Sequence, residues 1–227
     1  MTELVFIIDR SGSMSGLEKD TVGGFNSTVL KQKKTDGDDA YVSLVLFNEQ
    51  SYVVWDREPI SNIPAFREDQ YCPAGCTALL DAVGDAIHHI GNVHRYARKE
   101  DVPKKTVFVI ITDGMENASR RYDYRRIREM ISNQKEKYDW EFLFLGANID
   151  AECEAERMGI NRDRAVNYHC DREGVDVTYK AVAEFCYNMR TMQAGGSVDN
   201  NWRKNIDEDY RRRNDRSNFR RYNRQSL

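Results

Sequence analysis

The 227-residue chain reads as an α/β protein: a doubly wound, Rossmann-like and mostly parallel sheet, with helices on both faces and one antiparallel edge strand. Three observations predict it. Short β-branched runs alternate with longer stretches of helical spacing. The runs at 4–8, 106–111 and 141–145 are apolar almost throughout, as strands covered on both faces must be. Two of these runs end in polar, hydroxyl-rich turns, where open α/β sheets place their ligands.

The elements follow in order. Residues 4–8 form a buried strand that stops at Asp9-Arg10-Ser11-Gly12-Ser13. Residues 17–33 have helical spacing despite Gly23-Gly24, with Leu17, Phe25, Val29 and Leu30 as inner positions. Asp36-Gly37-Asp38-Asp39 lacks calcium-loop spacing and reads as a turn. Residues 41–47 and 51–55 are strands around Asn48-Glu49-Gln50, a hairpin that supplies the antiparallel edge. Residues 56–76 have little period, hold Pro59, Pro64 and Pro73, and read as a loop. Strong helical spacing runs over 78–97 through Leu79, Leu80, Val83, Ile87 and Ile90. The strand at 106–111 ends in Thr112-Asp113-Gly114. A helix at 122–137, a strand at 141–145, a short helix at 151–158, a short edge strand at 165–168 and a last helix at 175–192 complete the pattern. Past Ala194-Gly195-Gly196, Asn, Asp and Arg dominate. One domain is therefore expected over 1–194, with 195–227 a basic, disordered tail too poor in apolar residues to offset ordering entropy.

Composition narrows the function classes. Aromatics are 11% and glycine and proline are sparse, which excludes collagen-like and wholly disordered chains. No apolar run approaches the roughly 20 residues of a membrane span. The N-terminus lacks the basic start and long apolar region of a secretory signal, and five cysteines at irregular spacing suit reduced thiols. The expected location is the cytoplasm. Formal net charge is −3, but it is unevenly spread. Residues 210–227 hold seven arginines against Asp215 alone, a net of +6, so the preceding 209 residues carry −9.

The chemistry gathers at strand ends. Asp9, Ser11 and Ser13 follow the first strand, Thr112-Asp113-Gly114 follows a later one, and Pro73-Ala74-Gly75-Cys76-Thr77 leads into a helix. Together these turns offer two carboxylates and three hydroxyls, all hard oxygen donors. Such a set suits Mg²⁺, or Mn²⁺, over zinc or copper. Two carboxylates balance the ion's charge formally, which leaves it a Lewis acid toward one more anionic ligand, such as an Asp or Glu of a partner protein.

These three segments, with Gly75-Cys76-Thr77-Ala78-Leu79 and Ile111-Thr112-Asp113-Gly114 as their second and third members, resemble the metal-ion-dependent adhesion site of von Willebrand factor A domains. The likeness covers about residues 1–190. It is nearest in style to bacterial or phage intracellular single-domain members, as in Thr77-Ala78-Leu79-Leu80-Asp81-Ala82 and Thr112-Asp113-Gly114-Met115-Glu116-Asn117. The resemblance implies a doubly wound sheet, bound Mg²⁺ and recognition of a protein partner through the ion. Carried over by position, Ser11, Ser13 and Thr77 ligate the metal, and Asp9 and Asp113 act mostly through water.

Other features read more plainly. Asp81, one turn into its helix, complements the helix dipole, with support of the metal loop as the alternative; Glu116 and Asn117 are rim or solvated loop residues. Cys72 and Cys76 are two small thiols. His88, His89 and His94 share a helix and read as surface or satisfied histidines. The arginine-rich tail, with Trp202, Tyr210, Phe219 and Tyr222 interleaved, suits single-stranded nucleic acid in composition, the alternative reading. No hydrolase, P-loop, metalloprotease or dinucleotide motif occurs. An aspartyl-phosphate mechanism at Asp9 would need an acid at the position that Ser11 holds. The chain is expected to be a binding protein, with no catalytic residue.

Overall fold

The computed structural model describes residues 1–35, 39–192, 196 and 198–225, with side chains as far as residue 214. The strands are β1 (Thr2–Asp9), β2 (Ala40–Phe47), β3 (Ser51–Pro59), β4 (Lys105–Thr112), β5 (Glu141–Ala147) and β6 (Ala165–Tyr168). The principal helices are α1 (Glu18–Lys33), α2 (Leu79–Tyr96), α3 (Tyr124–Tyr138), α4 (Ala151–Arg157), α5 (Arg172–Thr191) and α6 (Lys204–Gln225). The strands form one sheet in the order β3-β2-β1-β4-β5-β6, parallel throughout except for β3 against β2. This is the expected Rossmann-like arrangement, with the antiparallel strand at the edge. The expected turn at residues 36–38 lies outside the described residues.

The alternation of β1 explains why helices cover both faces. Leu4, Phe6 and Ile8 face a core shared with Phe25, Val29, Tyr179 and Phe185 of α1 and α5. Val5 and Ile7 face a second core with Leu79, Val83, Ile87, Ile127 and Ile131 of α2 and α3. All eight residues of β1 are buried, so period-2 patterning disappears, as it does in any strand with two dry faces.

The sheet also takes in charge. Glu3 is fully buried, and its carboxylate accepts from Arg57 Nε at 2.7 Å and meets His94 Nε2 at 2.5 Å. Arg57 reaches it from a left-handed backbone (φ 51°) beside a register shift between Val42 and Leu44. His89 pairs with Asp56 at 2.8 Å. Both histidines are satisfied in this way, as expected.

Three sequence expectations change. Leu30 is 52% exposed, and Val22 lies inside instead; α1 turns its Thr28 and Gln32 inward to donate to the carbonyls of Tyr179 and Ala183 on α5. The loop at 56–76 is not a passive connection, because Ile60, Ile63, Phe66 and Tyr71 from it enter the core. The largest difference is at the C-terminus. The boundary at 194 does not end the packed body: Val198, Trp202 and Ile206 are buried, and α6 packs on β6 and α5. Trp202 sets its ring edge-on against Phe185 at 5.6 Å. Ion pairs from Arg212 and Arg213 to Asp171, Glu173 and Asp209 pin the next turns. Three well-placed apolar residues and these pairs supply what the average composition of the segment conceals.

Candidate metal centre

The site forms where β1 and β4, neighbours in the middle of the sheet, end side by side. Asp9 closes β1 and is fully buried. Its Oδ1 accepts from the Ser11 amide at 2.6 Å, and its Oδ2 accepts from the Thr112 hydroxyl at 2.6 Å. Tyr71, brought over by the 56–76 loop, donates its hydroxyl to the Asp9 carbonyl. Ser13 Oγ lies 3.1 Å from Ser11 Oγ and donates to Asp113 Oδ1 at 2.6 Å. Four of the five expected residues are thus joined by direct contacts or through Thr112.

Thr77 enters from the third loop. The Gly12 amide donates to the Gly75 carbonyl at 3.0 Å, and the Ala74 amide to the Arg10 carbonyl at 2.9 Å, which staples this loop to the first. Thr77 Oγ1 and Ser13 Oγ flank the open face of Gly114, 3.5 and 3.6 Å from where a Cβ would stand. A side chain at 114 would stand in contact with both hydroxyls. Gly75 is itself required: its φ is +78°, and a Cβ there would stand 2.7 Å from the Glu49 carboxylate.

The sequence pointed to the framework around these donors only through the alternative reading of Asp81. Asn117 Oδ1 accepts from the Thr77 amide at 2.9 Å, and the Asn117 amide donates back to the Thr77 carbonyl at 3.0 Å. Glu116 accepts from the amides of Leu80, Ala118 and Ser119. Asp81 accepts from three successive amides, Arg120, Arg121 and Tyr122, at 2.9–3.0 Å. Glu116 and Asn117 are therefore inward ties, and Asp81 anchors the loop after β4 in addition to its place at a helix start. Just past β6, the Cys170 thiol approaches Asp113 Oδ2 at 3.4 Å. Burial, then the Asp113 charge, push that thiol up to about 12, so it stays protonated. Cys72 and Cys76 are free and exposed.

The electrostatics favour a cation. Asp9 and Asp113 are 0% and 2% exposed, and among the described residues neither forms an ion pair. Burial drives the Asp9 carboxyl above its ordinary range, and the negative charge of Asp113 adds to the push, although hydrogen bonds from Thr112 and Ser11 oppose it. Two adjacent buried carboxylates without a counter-ion are costly. The hydroxyls of Ser11, Ser13 and Thr77 add neutral oxygens beside them, so the set fits a hard, oxygen-seeking divalent ion. Ser13 is exposed while Ser11, Thr77 and Asp113 are buried, so the donors open to solvent on one side.

Comparison with known proteins places the fold. The family described as von Willebrand factor type A domain matches residues 3–172. No curated protein matches by sequence. Proximal thread matrix protein 1 from the mussel byssus, in a structure with its MIDAS motif occupied by zinc, is 16% identical with a TM-score of 0.59; the alignment covers 82% of this chain and 46% of that one. The von Willebrand factor type A structure from Catenulispora acidiphila is 15% identical with a TM-score of 0.54, over 82% of this chain and 42% of that one. Manganese-loaded TRAP protein from Plasmodium vivax is 16% identical with a TM-score of 0.51, over 78% and 70%. The chain spans less than half the length of the first two, and at these identities the likeness is one of fold.

Proposed function

The chain belongs to the von Willebrand factor type A domain family, and from that premise we propose that it is a binding module, not an enzyme, that recognises an acidic side chain of a partner protein through a divalent cation. Ser11, Ser13 and Thr77 hold the ion directly, and Asp9 and Asp113 hold it mainly through water. Mg²⁺ is the ion proposed, with Mn²⁺ as a substitute. The single observation that carries this reading is the pair of buried, uncompensated carboxylates, Asp9 and Asp113, beside hydroxyls that open to solvent at Ser13. A bound divalent ion would supply Lewis acidity toward an incoming carboxylate.

The chain's own residues do the rest. The ties from Gly12, Asn117 and Asp81 hold three loops in register, so that little ordering remains to be done on binding. The hydroxyl ligands add no charge, which preserves the ion's attraction for an anionic partner. Its five free thiols support a reducing compartment, the cytoplasm. The tail reading gains less support, because Arg212 and Arg213 are already paired with carboxylates of the body.

The test is direct. Mg²⁺ should raise the melting temperature of the chelator-treated protein, and a partner captured in Mg²⁺ buffer should elute with EDTA. Asp9→Ala should abolish both effects. Partner binding that survives both chelation and this substitution would refute the mechanism.

A further inference from the structure

One flank of the metal face carries charge opposite to that of the body. Residues 1–209 sum to −9, a field that repels an acidic partner at a distance. Arg10 counters it beside the candidate site. It follows Asp9 directly, and its amide donates to the Phe47 carbonyl at 2.7 Å, which fixes the backbone from which the side chain departs. The guanidinium lies 3.6 Å from the centre of the Tyr52 ring, and the Tyr52 hydroxyl meets Gln50 Oε1 at 3.3 Å. A guanidinium stacked on an aromatic face keeps its outer N–H groups available for an anion.

The sheet register locates this cation. Asp9 pairs with Phe47, and Phe47 with Ser51, so β1, β2 and β3 share one row at the metal end, with Tyr52 on the next row. Tyr52 therefore stands two strand spacings, roughly 10 Å, from β1. Arg10 itself is half-buried. Its Nε is enclosed, but its two terminal nitrogens are open, and among the described residues no carboxylate pairs with them. Glu49, the exposed acid of the neighbouring turn, accepts from the Cys76 amide at 3.1 Å instead. On the other flank, after β4, Met115 is 66% exposed and uncharged.

We propose that the partner segment presents two acidic side chains, one to the ion and a second to Arg10, two to four residues apart in an extended chain. At about 3.3 Å per residue, that spacing covers the gap of roughly 10 Å. The fork of Arg10 can give a carboxylate two parallel N–H bonds. Stacking on Tyr52 has already ordered it, so little freedom is lost on contact. This inference rests on the function proposed above, because the first contact is the ion's.

The test selects random heptapeptides displayed on phage against the immobilised full chain in Mg²⁺ buffer and elutes them with EDTA. Recovered sequences should share a pair of acids at that spacing. In titrations of a synthetic copy, the acid whose replacement by its amide abolishes binding is the ion's. Replacing the other should weaken binding to the wild type about tenfold, the effect of one charge-assisted contact, and should change nothing further in Arg10→Gln. Tyr52→Leu removes the platform at a 40% exposed position and should lose most of that effect too. A merely structural loss does not produce such coupling between one peptide acid and one side chain. If Arg10→Gln does not fold, the same comparison in Tyr52→Leu decides. Sequences with a lone acid, or a replacement that weakens wild type and variant alike, overturn the proposal and leave the metal site standing. Recovery of no EDTA-eluted peptide overturns it as well, and the melting temperature then separates the two failures: a rise with Mg²⁺ keeps the ion, and no rise removes both.

Discussion

At the residue scale, charge placed where water cannot reach it governs behaviour. In the absence of metal, the raised Asp9 carboxyl works against folding at neutral pH. Its contribution to stability is complete below its ordinary value near 3.8 and is lost as pH rises through the raised folded value. Asp9→Asn should therefore raise the melting temperature of the EDTA-treated protein at pH 7 by roughly 2–4 °C, the shift that a 1 kcal/mol gain gives a chain of this size. The same variant should gain nothing from Mg²⁺, so calorimetric scans with and without the ion check both halves. Asp81 behaves in the opposite sense. Burial pushes its carboxyl up, but three backbone amides and Arg121 outweigh burial and hold it below the usual carboxylate range. Its stabilisation is present above the unfolded value and lost as pH falls through the lower folded one. Asp81→Ala should cost about 3 kcal/mol at pH 7, and urea titrations should show the gap to wild type closing below about pH 4.

At the scale of elements, α6 separates what composition reveals from what it conceals. Val198, Trp202, Ile206 and Tyr210 recur every four residues, a helical stripe that a window dominated by Asn, Asp and Arg submerges. Three of them are buried, and Tyr210 stacks on His169 at 4.8 Å. Trp202→Ala should cost about 3–5 kcal/mol, and deleting 196–227 should lower the melting temperature by more than that substitution does; a truncated chain as stable as the full one would contradict the packing. The strands and the first five helices were legible because strong apolar periods mark them. The gathering of the five candidate residues was legible too, because Asp9, Ser11, Ser13 and Asp113 follow strand ends and Thr77 stands just before a helix. The supports were less so: Asp81 and Asn117 act on backbone amides about forty residues away, Glu116 on both near and distant ones, and an amide has no letter in the sequence. Leu30 misled for a similar reason, since the neighbouring helix, not the period, decided which side of α1 was dry.

At the scale of the whole molecule, the proposed ion would be a linkage partner of folding. A ligand that binds only the folded chain at a hundred times its dissociation constant adds about 2.7 kcal/mol, so melting temperature should climb with the logarithm of Mg²⁺ concentration in the wild type and stay flat in Asp9→Ala. The sheet order has a further consequence. β1 lies at the centre, with β2 on one side and β4 on the other. During synthesis it is made before either neighbour, and the second of them is still about a hundred residues from being made. An apolar ribbon that must wait so long for its partner is exposed to wrong pairings in the interval. The newborn chain, more than the finished one, is where this protein is most open to aggregation, and slower translation would lengthen that interval.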